Sequence, residues 1–252
     1  IFCSHSYFEE WKSMNETMNY NVELPLSNLY VAQLMYKSIP KNSIMNFAIL
    51  NSLRCWSYFP LDTTIQCYSN VAAFGIDGCN SMLIGESMNT DEFCFIVTGD
   101  LAFFYDMNVL GNRHVGKNIR LMLVNNSRGS EFRLYCHPCA QFGEDADFYM
   151  AAAGHYGQQS PDLVRHYSTD LGFEYLAAST KDEFEKVSEQ FFTPKVQEKP
   201  MILEVFTETQ NESDALMMIQ EALTEEKMRM IENCKKVARL SLIHISEPTR
   251  QA

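Results

Sequence analysis

Basic residues are in short supply. The 252-residue chain carries 20 Lys and Arg against 32 Asp and Glu, a formal net charge of −12. That balance gives no electrostatic footprint for nucleic acid or for an anionic membrane surface. Long apolar runs are also missing, and no stretch approaches the ~20 residues of a membrane-spanning helix. The opening residues lack the basic region and long apolar core of a secretory signal. No internal repeat or low-complexity tract occurs, which excludes solenoids and arrays. What remains is ordinary globular composition, 46% hydrophobic and 21% charged, in a length that buries one substantial core or two small ones. The eight cysteines (3, 55, 67, 79, 94, 136, 139 and 234) read as reduced thiols of a cytoplasmic protein, because a disulfide framework belongs to small secreted chains. Cys67 and Cys94 sit in apolar segments, where a free Cys acts as a small hydrophobe.

Alternation of short apolar runs with amphipathic segments predicts an α/β fold, a doubly wound and mainly parallel sheet with helices on both faces. Residues 1–27 read as a linker or the end of a preceding domain, 28–210 as the main domain, and 211–239 as a charge-rich helix. Residues 240–252 contain Leu-Ser-Leu-Ile-His-Ile-Ser-Glu-Pro-Thr-Arg, which resembles a translated sequencing adapter and is excluded as a scar. Ser27 caps a helix over Asn28–Ser38, Ile44–Leu50 reads as a strand, and Ser52–Phe59 as a short helix. Thr64–Tyr68 is a strand and Cys79–Ser87 a helix. Further along, Ala146–Ala153, Pro161–Leu171 and Ser179–Phe191 read as helices, and Phe173–Ala178 and Pro200–Phe206 as strands.

The most informative stretch is a strand–helix–strand unit. Phe93–Thr98 and Ile119–Val124 have the length and content of buried strands. Between them Leu101–Val115 carries a helix-like apolar stripe. A βαβ unit makes its strands parallel. Gly99-Asp100 and Asn125-Asn126 then leave the carboxyl ends of the two strands and face one crevice, where open α/β sheets bind ligands. The Asp100 carboxylate, the Asn126 amide oxygen and the Arg128 backbone carbonyl are hard oxygens suited to Mg²⁺ with phosphate and water. The helix starting at Leu101 aims its amino terminus at the same point.

Gly-Asp followed by Asn-Asn at this distance resembles the fingerprint of the thiamin-diphosphate (ThDP) enzyme superfamily. A second segment narrows it. Tyr68-Ser69-Asn70-x-x-Ala-x-Gly75-Ile76-Asp77-Gly78 and Gly99-Asp100-Leu101-x-x-x-Tyr105-Asp106-x-Asn108 are similar to segments of the menaquinone-pathway branch, the SEPHCHC synthase family. The resemblance implies ThDP and Mg²⁺ (or Mn²⁺) as cofactors, with Asp100, Asn126 and Arg128 as metal ligands. Gly99, Leu101 and Ala102 would lie at the diphosphate, Ser69, Asn70, Gly75 and Ile76 along the pocket, and Ser130, Glu131 and Phe132 at its far side. It also implies a 2-oxoacid donor, an acceptor, and a homodimer or homotetramer. The activating glutamate would come from a pyrimidine-binding domain of the same or a partner chain, so this chain alone should be inactive. Val71 and Met88 replace family arginines, and Arg128-Gly129 replaces Gly-Gly, which points to an altered substrate. Arg54, Arg128 or Arg133 would be the replacement cation.

Two other readings stand beside this one: another Mg²⁺–phosphate α/β transferase, and a non-catalytic ThDP-binding domain. Cys136-x-x-Cys139 is half a zinc pattern without a second pair, and reads as an exposed loop with two thiols. His155 and His114 read as helix-end histidines, although His155 is also placed to reach the crevice as an acid or base. Asp106 and Asn108 read as caps or interface polar groups, and Glu225-Glu226-Lys227 as a solvated helix face.

Overall fold

A computed structural model of the chain describes residues 5–17, 20–71, 75–154 and 160–224. His155, residues 225–239 of the expected long helix, and the 240–252 segment lie outside the described residues. The chain divides into two units, Leu24–Leu216 and the combined terminal segments Ile1–Glu23 and Met217–Ala252. In the terminal unit the expected linker contains a helix, α1 (His5–Thr17). Its polar composition hid it, since a helix without an apolar stripe gives no periodic signal.

The larger unit alternates strands and helices throughout. In chain order they are α2 (Asn28–Met35), β1 (Ile44–Phe47), α3 (Asn51–Trp56), β2 (Gln66–Ser69), α4 (Cys79–Ser87), β3 (Cys94–Gly99), α5 (Asp100–Tyr105) and β4 (Ile119–Asn125). Then come α6 (Glu144–Tyr149), α7 (Leu163–Asp170), β5 (Glu174–Ala178), α8 (Lys181–Phe191) and β6 (Met201–Phe206). Residues 209–216 are helical. The six strands form one parallel sheet in the order β2-β1-β3-β4-β6-β5. This is the α/β fold expected from the alternation. None of the described helices is long and apolar enough to cross a membrane.

Both faces of the central strands are covered, which is why β3 and β4 read as continuous apolar runs. On one face Cys94, Ile96, Ile119, Leu121, Leu123 and Ile202 pack with Leu83, Phe103 and Phe173. On the other, Phe95 lies 6.0 Å from Phe191 and 5.8 Å from Phe192, ring centre to ring centre. Complete burial of such side chains stabilises the fold by roughly 1.5–3 kcal/mol each. Burial also pushes the Cys94 thiol up to about 12, so Cys94 is an inert hydrophobe. Cys67 departs from expectation: it lies on the edge strand β2 and is exposed.

Side-chain caps explain the starts of two helices. Ser27 Oγ accepts from the Tyr30 N–H at 3.1 Å and caps α2. Thr180 Oγ1 accepts from the Glu183 N–H at 3.2 Å while the Glu183 carboxylate takes the Ser179 N–H at 2.8 Å, a reciprocal cap on α8. The single helix expected over Leu101–Val115 is divided into α5 and a 3₁₀ turn, Met107–Gly111. The cause is Asp106. Its carboxylate accepts the Ser81 N–H at 2.6 Å and the Ser81 hydroxyl at 2.7 Å, capping the first turn of α4 instead of continuing its own helix.

Candidate functional site

The strand order places the crevice. From β1 the chain steps outward to β2, then crosses back over β1 to form β3 on its other side. Connections leaving β1 and β3 therefore diverge, and a gap opens at their carboxyl ends. A cavity of about 90 Å³ occupies that gap. Leu50 and Asn51 line it from the β1 exit, Gly99, Asp100, Leu101 and Ala102 from the β3 exit, and Asn126 and Arg128–Phe132 from the β4 exit, with Ile76 closing one side.

Asp100 opens α5 and is only 4% exposed. Burial pushes its carboxyl up to about 7, and the backbone N–H groups of Leu101 and Ser127 pull the other way. Among the described residues it forms no ion pair. Gly99 precedes it, and a Cβ there would meet nothing within 4 Å. The glycine leaves open space on the cavity wall.

Asn126 follows β4. Its Nδ2 donates to Ser130 Oγ at 3.3 Å, and Asn51 Nδ2 donates to the same oxygen at 3.0 Å. Turned this way, Asn126 keeps its Oδ1 buried with no hydrogen-bond partner among the described residues. A buried amide oxygen without a donor costs free energy unless something fills the role. Ser127 adopts φ +62°, the left-handed turn that reverses the chain beneath Asn126. The Arg128 carbonyl accepts the Ser130 N–H at 3.0 Å and keeps a second lone pair.

These donors fit a hard cation. Among the described residues no group of three or more His, Cys, Asp or Glu is assembled for a metal. A cation in this crevice would be held by one carboxylate, one amide oxygen and one backbone carbonyl, a set matched to Mg²⁺ or Mn²⁺ and not to Zn²⁺. The Cys136/Cys139 loop offers no such assembly. His137 between them accepts the Cys139 N–H at 3.1 Å and caps a 3₁₀ turn, Pro138–Phe142.

The three arginines nearest the crevice are engaged. Arg54 holds Glu131 bidentately at 2.5 and 2.8 Å and also donates to Asn51 at 3.2 Å. Arg128 and Arg133 both meet Asp147, at 2.8 and 2.6 Å. Gly129 N–H donates to the Ala151 carbonyl at 2.6 Å, and a Cβ on Gly129 would press on that oxygen at 3.3 Å.

The structure brings most of the sequence-nominated residues to this cavity: Ile76, Gly99, Asp100, Leu101, Ala102, Asn126, Arg128, Ser130, Glu131 and Phe132. Ser69, Asn70 and Gly75 stand outside its lining. Ser69 faces the apolar hollow beside Trp56 at the sheet edge. Asn70 instead shapes the neighbouring turn, accepting the Ile49 N–H at 3.2 Å and donating to the Gly75 carbonyl. Val71 is exposed, and Met88 lies at the opposite, amino-terminal end of the strands with Asp91 and Lys117. Asn51 at the β1 exit is the lining residue that sequence reasoning did not name, and Arg54, nominated as a cation, supports it. The signal for Asn51 is the strand order itself, because both strands flanking a switch point contribute their exits.

The chain is thus an open parallel α/β protein with a cation-suited crevice at its topological switch point. No family model matches it. It is similar to three curated proteins named 2-succinyl-5-enolpyruvyl-6-hydroxy-3-cyclohexene-1-carboxylate (SEPHCHC) synthase. It is 32% identical over 207 residues to that of Christiangramia forsetii, covering 82% of this chain and 34% of the relative. It is 28% identical over 203 residues to that of Phocaeicola vulgatus, covering 79% and 35%. It is 31% identical over 178 residues to that of Desulfotalea psychrophila, covering 71% and 31%. The chain spans about a third of the length of the curated relatives it matches.

Proposed function

We propose that the Leu24–Leu216 unit is the diphosphate- and Mg²⁺-binding domain of a ThDP-dependent 2-oxoacid decarboxylase or carboligase resembling SEPHCHC synthase. The observation that carries this reading is a pair of oxygens on one cavity. Among the described residues the Asp100 carboxylate is buried without a cationic partner, and Asn126 Oδ1 is buried without a hydrogen bond. A divalent cation held between them would satisfy both. Similarity to SEPHCHC synthases over most of the chain supports the same reading.

In this reading Asp100, Asn126 and the Arg128 carbonyl hold the cation, and Gly99, Leu101 and Ala102 bound the diphosphate. ThDP, when bound, supplies the electron sink for decarboxylation. The residues of this chain bind, orient and exclude water. A cavity of about 90 Å³ takes the phosphate end of such a molecule and leaves its reacting end to a pyrimidine-binding domain, on the same chain or on the partner in a dimer or tetramer. The protein is proposed to act in the cytoplasm on a 2-oxoacid and an acceptor. Arg54, Arg128 and Arg133 are all paired with internal carboxylates, so among the described residues none of these three is left free at the crevice for a second substrate carboxylate.

Titration of the chain with Mn²⁺, followed by electron paramagnetic resonance, tests the reading. With ThDP present, tight Mn²⁺ binding is expected. A nucleoside triphosphate supporting Mn²⁺ binding where ThDP does not would replace this reading with that of a nucleotide-dependent transferase.

A further inference from the structure

Strand β6 reads Met-Ile-Leu-Glu-Val-Phe, and its one charged residue, Glu204, is 1% exposed. A carboxylate among core side chains is costly to bury unless its oxygens are satisfied. Both are. Asn125 Nδ2 donates to Glu204 Oε1 at 2.7 Å, and the Tyr175 hydroxyl donates to Oε2 at 2.7 Å. The register explains the reach. Glu204 pairs with Leu123 on β4 and Ala177 on β5, so Asn125 and Tyr175 stand two residues along on the same face.

Asn125 uses its other end on the crevice loop. Its Oδ1 accepts the Ser127 N–H at 3.2 Å, an N–H that also faces the Asp100 carboxylate, and so helps to hold the turn in which Ser127 takes φ +62°. Asn126 and Arg128, the residues on either side of Ser127, carry the amide oxygen and the carbonyl assigned to the cation. An Asn carboxamide has one donating and one accepting end, so holding Nδ2 determines which atom meets Ser127. Were the amide to turn over, Nδ2 would oppose the Ser127 N–H, donor against donor, and the turn would lose the acceptor that ties it to β4.

We propose that Glu204, seconded by Tyr175, is a positioning residue for the cation site, acting through Asn125 to set the Ser127 turn. The proposal rests on the cofactor reading above for the identity of what is bound, and on the hydrogen-bond chain for the coupling. The carboxylate's role explains a charged residue at the centre of an otherwise apolar strand. Losses of such outer-shell partners typically weaken metal binding by about 10–100-fold.

The test compares the full chain with Glu204→Leu, Glu204→Gln, Tyr175→Phe and Leu203→Ala. Leu203 is fully buried on the opposite face of β6 and serves as a stability control. Two readouts are taken: Mn²⁺ affinity with ThDP present, and the side-chain amide resonances of ¹⁵N-labelled asparagines without cofactor. Glu204→Leu is expected to weaken Mn²⁺ binding by about 10–100-fold and to move the Asn125 and Asn126 resonances. Glu204→Gln, which keeps an oxygen for Asn125 Nδ2, should restore most of both, and Tyr175→Phe should fall between. Leu203→Ala should lower the melting temperature without weakening Mn²⁺ binding. Parent-like Mn²⁺ affinity in Glu204→Leu overturns the proposal, as does an equal loss in Leu203→Ala. If the parent chain binds no Mn²⁺ with ThDP, the cofactor reading falls, and unmoved Asn126 resonances in Glu204→Leu would then overturn the coupling as well.

Discussion

Asp100 and Glu212 are both buried carboxylates, and their surroundings differ. Glu212 is 3% exposed and accepts two kinds of donor, the Asn28 N–H at 3.0 and 3.2 Å and the Thr207 hydroxyl at 2.8 Å. It caps the start of α2 from 184 residues away in sequence. Asp100 is as deeply buried and faces a cavity whose other wall holds an unpartnered amide oxygen. Burial pushes both up to about 7. One is completed by the fold and belongs to the scaffold. The other is met by backbone N–H groups alone and lines open space beside an unpartnered amide oxygen, as binding-site carboxylates do.

Removing each carboxylate breaks or sharpens that comparison. Asp100→Ala should weaken Mn²⁺ binding in the presence of ThDP by more than the ~100-fold upper range for an outer-shell loss. The cation-free protein should melt no lower than the parent, since a desolvated carboxylate has been taken away. A fall in melting temperature with cation binding intact would assign Asp100 to the scaffold.

Glu212 should act through pH. Its folded carboxyl sits above the usual value of 4.5, so the fold favours the protonated form. That contribution is fully present below about pH 4.5 and is lost as pH rises through about 7, worth roughly 3 kcal/mol across the window at ~1.4 kcal/mol per unit. Denaturant melts of Glu212→Gln at pH 5 and pH 8 should therefore show a smaller drop in stability than the parent does. An unchanged drop would show that Glu212 is not the group responsible.

Smaller effects belong to the ion pairs. Arg54→Ala leaves Glu131 partly buried without its bidentate partner, and should cost about 1–2 kcal/mol, between the surface and buried cases. Arg54→Lys should recover only part of this, because a point charge cannot reproduce the fork. Lys117→Ala removes an exposed pair with Glu198 and should leave the denaturation midpoint unchanged.

Much of this architecture could be read from residue order. β3 and β4 announced themselves because strands covered on both faces become unbroken apolar runs, and α4 matched to the residue, Cys79–Ser87. The crevice was legible because Gly99-Asp100 and Asn125-Asn126 follow those two strands directly. What stayed hidden depends on contacts remote in sequence. Asp106 ends α5 because it caps α4, and nothing local in Leu101–Val115 signals that. Asn51 joins the site only because β1 neighbours β3, a fact of strand order, and the pairing of Arg54, a nominated cation, with Glu131 is equally remote in sequence. Strand β1 also stops at Phe47, short of the expected Leu50, which takes φ +76° to start α3. Glu204 gives no signal of its own in the sequence, because its partners stand on β4 and β5.

Calorimetric titration of the chain with ThDP, with and without Mg²⁺, bears most directly on the claim that this crevice is the cation and diphosphate end of a ThDP site. The expected result is binding that requires Mg²⁺ and disappears in Asp100→Ala. Binding of ThDP that is indifferent to Mg²⁺, or that survives Asp100→Ala unchanged, would contradict it.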